Sequence, residues 1–150
     1  MPHARNHRLL SAFITILLGT MLAGCSKQVS DNIANRHLRS IAGKNATDCG
    51  HVGLHQSPTS AADCALAAWK ENRPFLISYD VRGIDSKLVF GLASSGGGDV
   101  FSVKYDSMGW STDELRSGVK VLDSNHILVV HCPPPVRLFV SSTGYLDCYD

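Results

Sequence analysis

Cys49-Gly50-His51, followed by His55, gathers a thiol and two imidazoles in one short stretch. Such groups ligate zinc and copper, and His126 and His131 offer two further imidazoles. The spacing is poor for a metal. There is no paired C-x-x-C, and His51 and His55 fall in a glycine-containing loop, not on one face of a helix. His126 and His131 bracket a strand-like run, and their odd separation sends them to opposite faces of a regular strand. No metal or other cofactor is expected.

Nucleophilic catalysis needs a hydroxyl or thiol, a base and a group that orients the base. Serines and histidines are present, but no serine sits in a G-x-S-x-G elbow. Ser94-Ser95-Gly96-Gly97-Gly98 is glycine-rich yet lacks the Lys-Ser/Thr of a phosphate loop, so it reads as a hairpin tip. Asp80, Asp85, Asp99 and Asp106 lie near strand ends, where aspartate serves turns as readily as acid–base chemistry. No catalytic residue is assigned. Trp110, Tyr105, Tyr145 and Tyr149 are candidates for an aromatic contact with a partner or glycan. Trp110, after Met108-Gly109 in a loop, is the best placed as an exposed anchor.

One cysteine belongs to another chemistry. The segment ahead of Cys25 runs from basic Arg5 and Arg8 through the apolar stretch Leu9 to Met21 to small Ala23 and Gly24. That is the order of a secretory signal. The apolar stretch is shorter than the roughly 20 residues a spanning helix needs. Leu22-Ala23-Gly24-Cys25 resembles the lipobox of bacterial lipoproteins. The resemblance is confined to residues 1–25. It implies diacylglyceryl transfer to the Cys25 thiol, removal of 1–24 as a signal peptide, and N-acylation with a fatty acid such as palmitate. Ser26, not Asp, follows the cysteine. By the same resemblance this favours the outer membrane, with the domain facing the periplasm. Several acyl chains together anchor stably, each buried methylene contributing about 0.8 kcal/mol.

Without residues 1–24, 126 residues remain. The 14 Lys+Arg lose Arg5 and Arg8 to give 12 against 13 Asp+Glu, a balance of −1. That gives no basic footprint for nucleic acid. The length suits one domain with a modest core. Four cysteines remain beyond the lipidated one: Cys49, Cys64, Cys132 and Cys148. An even number in an exported chain implies two disulfides. Three pairings are open, and the local one, Cys49–Cys64 with Cys132–Cys148, is preferred. Each would close a loop of about 15 residues and contribute about 3 kcal/mol in the entropic model.

The elements that position these groups follow from periodicity. Residues 25–46 are polar and lack Phe, Trp and Tyr, and Ile33, Leu38 and Ile41 are too sparse for a firm face. They read as a lipidated cysteine and a tether, with a short amphipathic helix as the alternative. A small disulfide-bonded domain spans 47–150. Ser57-Pro58, or Ser60 to Asp63, opens a helix whose face is Ala61, Cys64, Ala65, Ala68 and Trp69. Pro74 ends it near Asn72. Alternation predicts half-buried strands over Phe75–Arg82, Leu88–Leu92 and Phe101–Asp106. Ser111 to Glu114 suits one helical turn. Val119–Leu122, Ile127–His131, Val136–Val140 and Tyr145–Cys148 are further strands, with Ser142-Thr143-Gly144 as a hairpin loop. Pro133-Pro134-Pro135 must be an edge or a crossing segment. The expected fold is α+β: one helix on an antiparallel sheet of five or six strands, with two disulfides, after a signal peptide and tether.

Arg73-Pro74-Phe75 through Tyr79-Asp80-Val81, Gly83 to Ser86 and Gly91-Leu92-Ala93 resembles a group of small uncharacterised bacterial lipoproteins. That resemblance implies the element order and no activity. The expectation is a lipid-anchored envelope protein with a binding or accessory role toward an envelope protein or peptidoglycan. The alternatives are a periplasmic enzyme with an unrecognised site and a metal-binding module using His51 and His55.

Overall fold

The computed structural model describes residues 33–110, 120–122 and 126–148. Residues 1–32, including Cys25, the turn expected at Ser111 to Glu114, and Tyr149 lie outside them. Among the described residues, two helices, α1 (Ile33–Ala42) and α2 (Thr59–Lys70), accompany eight strands. These are β1 (Thr47–Val52), β2 (Phe75–Arg82), β3 (Lys87–Ser94), β4 (Phe101–Asp106), β5 (Lys120–Leu122), β6 (Ile127–His131), β7 (Phe139–Val140) and β8 (Leu146–Asp147). The first six form one sheet in the order β1-β2-β3-β4-β6-β5, and β7-β8 is a separate hairpin. The α+β class and the six-stranded size agree with the sequence. The sheet is mixed, because β1 pairs parallel to β2 through the crossover helix α2, whereas the other pairs are antiparallel.

The helix α2 forms where the alanine face predicts. Pro58 already has helical angles and its carbonyl accepts the Ala62 N–H at 2.9 Å. The helix stops as Asn72 turns left-handed (φ 55°). Arg73 N–H then reaches the Ala68 carbonyl (2.8 Å) and Asn72 N–H that of Trp69 (2.9 Å), closing a Schellman motif just before Pro74. Ala61, Ala65 and Ala68 are buried against Phe75, Ile77 and Tyr79, one alternating face of β2.

The other face is not open. The tether expected over 25–46 gives way to α1 from Ile33 onward. Ala34, Leu38 and Ala42 recur every four residues and make one narrow stripe. The stripe buries itself on Leu76, Val89, Ala93 and Val103. Gly91 makes this approach possible, since a Cβ there would lie 2.6 Å from Leu38 Cδ1 and from the Ile77 carbonyl oxygen. The strands predicted as half-buried are therefore covered on both sides, and Phe75 to Tyr79 are all buried. Ser78, opposite Gly91 on this face, is small enough to fit beneath the helix where a larger polar group would not.

Both disulfides take the local pairing, Cys49–Cys64 and Cys132–Cys148. The first joins β1 to α2. The second joins the residue after β6 to the residue after β8, so it holds the small hairpin to the main sheet. The three prolines form the crossing segment between them, exposed and outside both sheets. Pairing in the last two predicted strands is short, two residues each, because Val136 and Leu138 pack on the core without joining a ladder.

Tyr79 sits where these parts meet. It is wholly buried, and its hydroxyl accepts the Leu146 N–H at 3.1 Å. Its ring packs against Tyr145, 4.7 Å between centroids, and Phe90, 6.1 Å. Burial, with lesser repulsion from Tyr145 and Asp147, pushes its phenol from 10.0 up to about 12, against the opposing pull of the Leu146 N–H. An unfolded chain releases this proton first, so stability is intact below pH 10.0 and falls as the pH rises toward about 12. Tyr79→Phe is expected to flatten that alkaline loss, read from urea midpoints on either side of the window. At neutral pH it leaves the buried Leu146 N–H unpaired and costs about 1–3 kcal/mol.

Candidate functional site

His51 is the histidine that the fold uses most fully. It lies on β1 beyond a bulge at Cys49-Gly50, where the register with β2 slips and Gly50 takes φ 95°. The bulge brings the ring opposite Ser78. Nδ1 is 2.9 Å from Ser78 Oγ, and Nε2 is 3.2 Å from Asp80 Oδ2. Facing a carboxylate, Nε2 carries a proton, so Nδ1 can accept from the Ser78 hydroxyl. Ser78 and Asp80 are two apart on β2 and share a face, which is why one ring spans both.

The order hydroxyl, imidazole, carboxylate is that of a nucleophilic triad. The access is not. Ser78 is 2 % exposed beneath α1, so no substrate carbonyl reaches its oxygen. The three residues tie β1 to β2. The sequence hid them because β1, Thr-Asp-Cys-Gly-His-Val, has neither the alternation nor the apolar content of a strand. The period-two pattern of β2 did place Ser78 and Asp80 together.

The same contacts bear on a metal at His51 and His55. Both His51 nitrogens are engaged, and no cluster of three His, Cys, Asp or Glu side chains is arranged for a metal among the described residues. His126 and His131 sit at opposite ends of β6. His126 Nδ1 donates to the Asp106 carbonyl (2.8 Å), His131 Nε2 meets Asp99 Oδ1 (3.1 Å), and the His131 ring lies tilted against Phe101. Asp80 and Asp99 are thus partnered with different histidines, while Asp106 caps the Met108 N–H at 2.8 Å.

A concave surface lies on the other side of the molecule's middle. A groove of about 400 Å³ runs between the antiparallel strands and the β7-β8 turn. Val81, Phe90 and Tyr145 give it apolar walls, and Trp110 and Lys104 also line it. Tyr145 is held by a hydrogen bond from its hydroxyl to the Asp80 carbonyl, 3.4 Å long. Lys104 Nζ stands 6.0 Å from the centre of the Phe90 ring. Trp110 is partly buried rather than fully exposed, and its indole N–H is buried with no hydrogen-bond partner among the described residues. Aromatic walls and one ammonium suit a ligand group with an apolar or aromatic body and an acceptor oxygen. Trp110 and Tyr145 were visible in the sequence as aromatics. Their meeting with Val81 and Phe90 depends on where the second disulfide puts the hairpin.

No known protein family, curated protein or solved structure matches this chain.

Proposed function

We propose that the chain is a lipid-anchored protein of the bacterial envelope whose domain binds a partner and does no chemistry on it. Cys25 carries the anchor, and the domain faces the periplasm from the outer membrane. The observation that supports binding most directly is the groove, with Phe90, Tyr145 and Trp110 on its walls and Lys104 beside them. The partner is an envelope protein or peptidoglycan presenting an apolar group beside an acceptor. The burial of Ser78 supports the non-catalytic half of the reading.

Crosslinking of the intact, lipidated protein in living cells, followed by mass spectrometry, tests it. A single stoichiometric envelope species is expected. Trp110→Ala should reduce its capture roughly tenfold, as loss of a central aromatic contact does. Capture of only abundant porins and lipoproteins, unchanged by Trp110→Ala, would sink the proposal. Cys25→Ser is expected to abolish palmitate incorporation.

A further inference from the structure

We infer that the end of the sheet bearing the β2–β3 turn is a membrane-docking face, which seats Leu54, Ile84 and Met108 against a phospholipid bilayer. The inference rests on the Cys25 anchor proposed above and adds which face of the domain the membrane meets.

Three connections converge there. β1 runs parallel to β2 with Val52 opposite Tyr79, so Leu54, just beyond β1, arrives near Val81 and lines one cleft with Arg82 and Lys87. Ile84 lies in the turn between Arg82 and Lys87. Ser107 N–H donates to the Lys87 carbonyl at 3.0 Å, and Ser107 Oγ accepts the Lys87 N–H at 2.9 Å. Met108 is thereby fixed beside the same turn. Ile84 is 100 % exposed, Met108 71 % and Leu54 49 %. The remaining large exposed apolar side chain among the described residues is Val140. Apolar exposure is concentrated at this one end, on turns where solvent alone would favour polar residues.

The chain also enters from this end. A short turn joins Ala42 to Thr47, which pairs with Phe75 at the opposite end of β2. Leu38 lies over Gly91 in mid-sheet. The helix therefore runs away from Phe75, and its first residue, Ile33, points toward the β2–β3 turn. From Cys25 to Ile33 there are eight residues. Fully extended they reach at most about 28 Å. An acylated Cys25 keeps this end of the domain close to the lipid.

The chemistry of the rim agrees. Exposed Arg82 and Lys87 flank Ile84 and attract anionic headgroups while their stems lie along apolar surface. Asp85 and Asp106, at the same end, balance that charge, so the apolar side chains carry the seating. Seating apolar side chains at the headgroup boundary beside such cations is how peripheral faces bind membranes.

The test uses the full lipidated chain in vesicles of phosphatidylethanolamine and phosphatidylglycerol that carry a headgroup-proximal nitroxide lipid. A fluorophore is placed on Ile84→Cys, on Met108→Cys, and on Ser95→Cys in the loop at the far end of the sheet. Strong quenching at 84 and 108, with none above background at 95, is expected. Two positions on the face guard against misfolding of one variant. Equal, weak quenching at all three overturns the docking face, including the case in which a protein covers this end. The intact mass of the same sample reads the anchor separately. A lipidated but unquenched protein defeats docking alone, whereas an unmodified Cys25 defeats the anchor and docking together.

Discussion

Leu38→Ala is expected to lower the stability of the domain by roughly 2–5 kcal/mol, the range for emptying a fully buried leucine site. Leu38 is wholly buried although it lies in a stretch whose composition reads as a tether. Its neighbours give the site little freedom to collapse. Gly91 has no side chain to move inward, and the strands beneath are fixed by ladders on both sides. A tether would predict no change at all, so one urea titration separates the two views. Gly91→Ala should destabilise as well, since its methyl would come within 2.6 Å of the Leu38 side chain and the Ile77 carbonyl. The two substitutions share a contact and should not add. Leu38→Ala relieves the side-chain clash and leaves the backbone one.

Removing the second disulfide is the other large effect. Cys132→Ala with Cys148→Ala is expected to cost about 3 kcal/mol through the longer reach of the unfolded chain. The first disulfide closes a loop of nearly equal length, 15 against 16 in sequence separation, so its removal should cost about as much. The consequences for binding should differ. Cys132–Cys148 holds the hairpin whose Tyr145 and turn residues wall the groove, whereas Cys49–Cys64 ties the far strand to α2. Loss of the second pair should abolish partner capture and speed proteolysis near the hairpin, even under conditions where the domain remains folded. Loss of the first should leave capture intact in that same window. Equal losses of capture would place the groove's role in doubt.

Much of this architecture was readable in the chain. Strands β2, β3 and β4 were found because their alternation is regular, and α2 because its alanines keep helical spacing before a proline. The local disulfide pairing followed from loop length. One element, α1, was read only as the alternative to a tether, and another, β1, escaped, both for physical reasons. The buried stripe of α1 is built from Ala34, Leu38 and Ala42, and two alanines carry almost no hydropathy signal. Strand β1 buries only Val52 among its six residues and is interrupted by the glycine bulge, so nothing in it alternates. Reading α1 as a tether made the strands look half-exposed, and missing β1 hid the partner of Ser78 and Asp80. The groove was legible only as unplaced aromatics, since its walls come from residues up to 66 positions apart, Val81 to Asp147.

The bulge in β1 has one more consequence. β1 is an outer strand of the sheet, where unpaired backbone groups invite a strand from another molecule. Gly50 at φ 95° breaks the straight run of that edge, and Cys49 is pulled toward α2 by its disulfide. The opposite outer strand, β5, has three residues among those described. Among the described residues, neither border offers a long, flat template. Molecules tethered side by side would meet at very high local concentration, and borders of this shape keep such neighbours from zipping into fibres.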